Sequence, residues 1–366
     1  MLGKNALGTQ LKLLAQKVNK QRWLLILILL LLGVVILKLN KGKKDESQLL
    51  TLQGYAMGKD YKIYYQAGQG ANYQEEVDSL LAAVEQVLAM DQPDSELSQF
   101  NAYDCQAFHF KTPHLYPVLA KSKEVYNHTA GAFDPTVAPL VNAWKGRPNQ
   151  AFQPSNIPIN ALHGYVSLDY IVVNEKRVKR LKEGVKLDLN GLAPGYGADV
   201  VASFLKQKGI NDLLVTLGDE VVAYGKLAQG KPWQVSVAIP TEAQAAQPLQ
   251  ITTKLTNQAT STTRRYRHAQ LEPEHGLIIN PQTGCPAQND LLSVTVFAHD
   301  GITADAYATA MMAQGLSFAQ ELVERLPSIE AFLVYQDEQG KVAFYASQGL
   351  KVIQSAGGQE VQLSSV

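Results

Sequence analysis

The chain has 366 residues, with 33 Lys and Arg balanced by 33 Asp and Glu, so its formal net charge at pH 7 is zero. That length buries a sizeable core in one elaborated domain or two, and the balanced charge offers no global field to draw nucleic acid. The two cysteines, Cys105 and Cys285, stand far apart; they exclude a Cys-x-x-Cys zinc knuckle or a disulfide-dense scaffold and leave one bond open in an oxidising compartment.

Residues 23 to 37 are uniformly apolar, flanked by Lys20 and Arg22 on one side and by Lys38, Lys41, Lys43 and Lys44 on the other. As a helix this run covers roughly 22 Å, short of a hydrocarbon core of roughly 30 Å, so Arg22 and Lys38 would snorkel. Residues 39 to 44 lack the small side chains a signal peptidase needs, which favours an uncleaved anchor over a signal peptide. The expected organisation is an N-terminal tail at 1–22, a transmembrane anchor at 23–39, a linker at 40–50, a folded domain at 51–350 and a tail at 351–366. Basic residues before the run only slightly outnumber those after it, a weak orienting signal.

Alternation over residues 61–65 predicts a strand, just after Ala56-Met57-Gly58. Asn72 and Glu75 have the spacing of a capping box, and Val77, Leu80, Leu81, Val84 and Leu88 make the stripe of an amphipathic helix. Residues 94–101 read equally as a solvated loop or as part of a site. A second helix is expected over 115–127. It delivers the chain to residues 129–144, where Gly131 and Ala132 allow close backbone approach, Phe133 offers a ring and Asp134 is held extended by Pro135; a small, flat, acidic surface is the expectation. A hairpin around Asn174-Glu175 and a strand at 185–189 follow. That strand feeds the glycine-rich turn of Gly191, Gly195 and Gly197, which opens a helix running to about residue 208. Free N–H groups at such a helix start suit a pyrophosphate, although the glycines lack the dinucleotide-fold spacing.

Strands are expected at 212–217, 233–239 and 291–297. Beyond the last, Asp305 and Thr309 lie four apart on one face of an exposed helix start, within reach of a common ion, and magnesium takes such oxygen ligands. The plainer reading makes Thr303 an N-cap and Asp305 ordinary first-turn charge. A hairpin through Gln339-Gly340 closes the fold.

Four segments together carry a family resemblance: Gly131-Ala132-Phe133-Asp134-Pro135-Thr136-Val137, residues 188–199, Ile278-Ile279-Asn280-Pro281-Gln282-Thr283-Gly284-Cys285-Pro286, and Asp305-Ala306-Tyr307-Ala308-Thr309. Over roughly residues 52–348 the chain resembles the ApbE-like family of FAD:protein FMN transferases. The resemblance implies an α+β fold of largely antiparallel sheets with packed helices, here preceded by one N-terminal transmembrane helix. It implies FAD as substrate and Mg2+ as cofactor. Met57, Ala132, Phe133, Asp134, Asp188, Pro194 and Ile278 would contact the flavin nucleotide; Asp305, Thr309 and the backbone of Gly191 would hold the metal. The implied reaction moves FMN to a threonine hydroxyl of a target flavoprotein and releases AMP. The implied setting is the periplasmic face of a bacterial inner membrane, with a respiratory-complex subunit as target.

The chain also departs from the family pattern. Pro194 replaces a polar residue, Asp219 a glycine, Thr262 a glycine, Thr263 an aspartate, Leu277 a histidine and Asn280 an aspartate. His275, two residues before Leu277, is the candidate replacement base. Two further readings therefore stand beside the transferase: a flavin-binding or assembly protein without catalysis, and a magnesium-dependent FAD pyrophosphatase.

Overall fold

The computed structural model describes residues 48–68, 71–103, 107–145, 159–227, 230–238, 250–265, 278–350, 352–356 and 363–364, together with Arg22, Ile28, Leu31 and Leu32. The chain divides into two compact units: residues 1–48 with 67–71, and residues 49–66 with 72–366. In the first, Arg22, Ile28, Leu31 and Leu32 are helical and exposed. The anchor expected at 23–39 lies almost wholly outside the described residues, and no helix among those described is long and apolar enough to cross a membrane.

The larger unit begins with a hairpin. β1 (Gln48–Ala56) turns through Met57 (φ 53°) and Gly58 (φ 73°) into β2 (Lys59–Ala67), where Tyr61, Ile63 and Tyr65 alternate inward as the sequence pattern requires. Helix α1 (Gln74–Leu88) buries Val77, Leu81, Val84 and Leu88. Its expected capping box does not form: Tyr73 is the N-cap, no side chain caps the helix, and Asn72 Oδ1 instead accepts the Gln74 N–H at 3.0 Å. The segment 94–101 is no solvated loop. It forms α2 (Glu96–Ala102), capped by Ser95 Oγ accepting from Ser98 N–H, with Leu97 and Phe100 buried.

After β3 (Ala107–His109) come α3 (Leu115–His128), α4 (Ala138–Lys145) and α5 (Ile159–His163). The predicted hairpin is β4 (Ile171–Asn174) paired with β5 (Arg177–Arg180), and β3 adds to its other edge. The strand expected at 185–189 is absent. Val185, Leu187 and Leu189 do alternate into the core, but no strand lies beside them. The Asn101 side chain takes that place, donating to Leu187 C=O and accepting from Leu187 N–H, each at 2.8 Å. Asp188 N–H donates to Pro135 C=O at 2.7 Å.

Helix α6 (Ala193–Gln207) leads to β6 (Leu213–Leu217), β7 (Glu220–Tyr224), β8 (Trp233–Ala238), β9 (Gln250–Leu255), β10 (Gln258–Arg264) and β11 (Leu291–Ala298). Then follow α7 (Gly301–Gln314), α8 (Leu316–Arg325), β12 (Glu330–Gln336), β13 (Val342–Ala346), β14 (Val352–Ala356) and β15 (Leu363–Ser364). Among the described residues the large sheet runs β1-β2-β6-β7-β10-β11-β12-β13-β15; from β2 to β13 its neighbours are antiparallel, and β13 pairs with β15 in parallel. One apolar cluster packs the helices against this sheet; a second packs Trp233, Val237, Ile251 and Leu255 of the small sheet β14-β9-β8 against Leu214, Val221, Phe297 and Phe332. The expected α+β class, largely antiparallel sheets with packed helices, is the observed one.

α7 sits at the centre, buried on nearly every side. Its N-cap is Asp300, whose side chain accepts from Thr303 N–H, so the helix begins before the predicted Thr303 cap. Only small residues at its crossing with α6 permit this packing. A Cβ on Gly195 would fall 2.4 Å from Gly301 C=O, and one on Gly301 would fall 2.6 Å from Gly195 C=O. Gly195→Ala should therefore lower stability by about 1–3 kcal/mol or prevent folding, as overpacking does. Urea denaturation decides: wild-type stability in that variant would mean the two helices separate at no cost.

Candidate active site

Four chain segments meet around the N-terminal end of α6. A Cβ on Gly191 would contact Thr309 Oγ1 and Cγ2 at 3.0 Å, so the turn backbone lies against the Thr309 side chain. Gly195 N–H donates to Asp305 Oδ2 at 3.1 Å. A Cβ on Gly197 would fall 2.8 Å from Met57 Sδ, which places the β1–β2 turn over the same helix. Asp188, through its N–H bond to Pro135, ties in the segment carrying Ala132, Phe133 and Asp134. Most residues singled out in the sequence are thus gathered here. Ile278 belongs to the segment whose Ile279 bridges Pro286, and it packs on the main core. His275 and Leu277 lie outside the described residues.

Several expectations about individual side chains need correction. Residues 129–136 are not an acidic surface: Ala132, Phe133 and Asp134 are all buried. Asp134 Oδ1 accepts from Thr136 N–H at 2.8 Å and from Thr136 Oγ1–H at 2.6 Å, and Oδ2 accepts from Leu168 N–H at 3.2 Å. Burial raises its pKa to about 6 against these lowering bonds. This carboxylate holds its own loop in shape. The helix start does not offer the free donors expected of it. Ala193 N–H goes to Leu189 C=O, Tyr196 N–H to Leu192 C=O and Gly195 N–H to Asp305, while Pro194 has no N–H.

Asp305 is buried rather than exposed, at 5 %. Beside it lies Glu220, the first residue of β7. Ser261 Oγ stands 3.5 Å from Asp305 Oδ1 and 3.5 Å from Glu220 Oε1. Among the described residues Glu220 Oε2 is buried without a hydrogen-bond partner, and Lys59 Nζ stands 3.9 Å from it. Burial, then the charge of Asp305, holds the Glu220 carboxyl well above the usual range, while Lys59 opposes the shift. Burial likewise lifts Asp305 to about 6 against the Gly195 N–H, Lys59 and Ser261. The available signal was a carboxylate opening a strand, Glu-Val-Val-Ala, that is otherwise apolar on both faces.

These groups fit a hard divalent cation. All are oxygen donors, two are carboxylates, and one carboxylate oxygen is buried and unbonded. No group of three or more His, Cys, Asp or Glu in metal-binding geometry occurs among the described residues. A cavity of about 260 Å³ near the start of α7 is lined by Lys121, Tyr196, Asp199 and Tyr224 among others, and by none of the residues predicted for the site.

Asp199 mirrors Asp305. Its two oxygens accept from Gly301 N–H at 2.8 Å and Ile302 N–H at 2.9 Å, and burial raises its pKa to about 7. The unfolded chain releases this proton near pH 4, whereas the folded one keeps it. Stability therefore falls as pH rises from about 4 to 7, by up to about 1.4 kcal/mol per unit for each such carboxyl. Urea midpoints measured at pH 4.5 and 7.5 should decline for the wild type and decline less for Asp199→Asn. Equal slopes would assign the pH dependence elsewhere.

The sequence profile of the ApbE family matches residues 57–333. The chain is 30% identical over 301 residues to the FAD:protein FMN transferase of Escherichia coli, an alignment covering 79% of this chain and 85% of that protein. It is 30% identical over 295 residues to the one from Vibrio cholerae, covering 78% and 87%. Its fold is similar to that of flavin transferase ApbE from Vibrio cholerae, with TM-score 0.73 and 30% identity, covering 82% of this chain and 98% of that one. It is also similar to the apo form of Pseudomonas stutzeri flavinyl transferase ApbE, with TM-score 0.72 and 27% identity, covering 82% and 95%.

Proposed function

The chain belongs to the ApbE family, and we propose that it is itself an FAD:protein FMN transferase. It takes FAD as substrate, moves the FMN moiety to a threonine hydroxyl of a target flavoprotein and releases AMP. The observation that carries this reading is the docking of the 188–197 turn on α7, Gly191 against Thr309 and Gly195 on Asp305. It collects hard oxygen donors at the point where the family's turn and metal motifs meet.

Asp305, Thr309 and the backbone of Gly191 would hold magnesium, which when bound supplies a Lewis acid neutralising the pyrophosphate and the departing phosphate of AMP. The Gly195 N–H fixes Asp305 Oδ2, which leaves Oδ1 turned toward Ser261 and Glu220. With the helix-start donors already used, neutralisation of the pyrophosphate falls to the cation rather than to backbone N–H groups. Met57, Ala132, Phe133, Asp188, Pro194 and Ile278 shape the flavin side, with Asp134 acting through the conformation of its loop. His275 is the candidate base for the incoming hydroxyl. The apolar run at 23–37 with its basic flanks supports an inner-membrane anchor. In this reading the folded body faces the periplasm and the target is a respiratory-complex subunit.

The test uses the full chain in detergent with FAD, magnesium and an acceptor flavoprotein subunit. Transfer gives equal amounts of AMP and covalently fluorescent acceptor. Asp305→Asn, which keeps an oxygen for Gly195 N–H, should lower both by on the order of a hundredfold while circular dichroism stays unchanged. AMP without labelled acceptor would make the protein a pyrophosphatase, and neither product would leave it a binder.

A further inference from the structure

We infer that Glu220 is a second carboxylate ligand of the divalent cation at Asp305, and that the chain therefore takes up this cation before FAD arrives. The inference rests on the reading of Asp305 as a metal ligand and extends the site by a residue from a different element. Glu220 opens β7, where it lies opposite Ser261 of β10 and Leu217 of β6 in the sheet register. That register sends its side chain to the Ser261 hydroxyl, and the same hydroxyl reaches Asp305 from the helix side.

The charges around this point do not balance. Glu220 and Asp305 are 4 % and 5 % exposed, and Lys59 is the cation near both. Arg264, the other cation on this edge, has its guanidinium 2.9 Å from Asp219. Lys59 Nζ lies 3.9 Å from Glu220 Oε2, which receives no hydrogen bond among the described residues. A buried, unbonded carboxylate oxygen is unfavourable unless something pairs with it. A divalent cation between the two would supply that pairing.

The spacing agrees. Neighbouring ligands around a hard divalent cation lie about 3 to 3.5 Å apart, given metal–oxygen distances of 2.0 to 2.6 Å. Asp305 Oδ1, Ser261 Oγ and Glu220 Oε1 follow one another at 3.5 Å. A second carboxylate adds negative charge that a one-carboxylate site draws from substrate phosphates, so the cation depends less on the nucleotide for its binding.

The probe is Mn2+, read by electron paramagnetic resonance as loss of the free-ion signal on titration into flavin-free full-length protein in detergent. One ion should bind. Glu220→Gln should weaken binding tenfold or more, Glu220→Asp should fall between, and Asp305→Asn should abolish it. If the amide variant does not fold, Glu220→Asp carries the test: lowered affinity supports the inference and unchanged affinity overturns it. Wild-type affinity in a folded Glu220→Gln protein overturns it too, as does a wild type that takes Mn2+ only after FAD is added. Both of those results leave the transferase reading standing, whereas unaltered binding by Asp305→Asn would remove the metal assignment itself.

Discussion

The structure depends on a reciprocal exchange of caps between two crossing helices. Asp305 of α7 accepts the Gly195 N–H in the first turn of α6, and Asp199 of α6 accepts the Gly301 and Ile302 N–H groups in the first turn of α7. Each helix start is satisfied by a carboxylate of the other, which holds the pair only if their backbones nearly touch. Gly195 and Gly301 meet that condition, since neither has room for a Cβ. From this crossing the rest follows. Gly191 is brought to Thr309, Asp305 is buried with one oxygen fixed, and Gly197 receives the Met57 side chain.

Around this crossing, four of the departures from the family pattern, Pro194, Asp219, Thr262 and Asn280, are accommodated by their surroundings. Pro194 supplies no N–H, at a helix start whose remaining donors are already engaged. Asn280 stands where the family has an aspartate. Its Oδ1 accepts from Gln282 and Thr283 N–H as an aspartate would, while its Nδ2 donates to Ala313 C=O at 3.1 Å, which an aspartate could not do. The exchange trades a charge for an anchor on the C-terminal end of α7. Asp219 in place of glycine is matched by Arg264, and Thr262 by the Thr295 hydroxyl at 2.9 Å.

What the sequence disclosed was local, and what it withheld was not. The α3 span, the β4–β5 turn, the inward residues of β2 and the stripe of α1 follow from periodicity and turn chemistry, which act within a few residues. The failures share a cause in distant partners. Residues 185–189 have a strand's alternation, yet strandhood needs a neighbour, and Asn101, 86 positions away, fills that role. Asp134 is expected on an acidic surface because Pro135 holds it extended beside Gly131 and Ala132, but the Leu168 N–H that holds it lies 34 residues on. Glu220 was legible only as a charge among apolar residues. Its proximity to Ser261 and Asp305 arises from sheet register and from the crossing of α6 with α7, neither of which a linear pattern encodes.

The β1–β2 turn shows how this arrangement joins two ends of one ligand site. Met57, in the left-handed region at φ 53°, puts its sulfur on Gly197 of α6 and donates its N–H to Glu85 of α1 at 3.2 Å. Two residues later Lys59 lies over Gly218, where a Cβ would fall 2.6 Å from its Cδ, and directs its ammonium to Glu220. A turn of two residues thus positions both the apolar group expected at the flavin ring and the cation facing the carboxylate pair. Because β2 is hydrogen-bonded to β6, whose C-terminus runs into Gly218, any shift of the turn moves both together. The contact of Met57 with α6 and that of Lys59 with Glu220 are therefore set by one piece of backbone, and a change that loosened Met57 from α6 would also draw Lys59 away from Glu220.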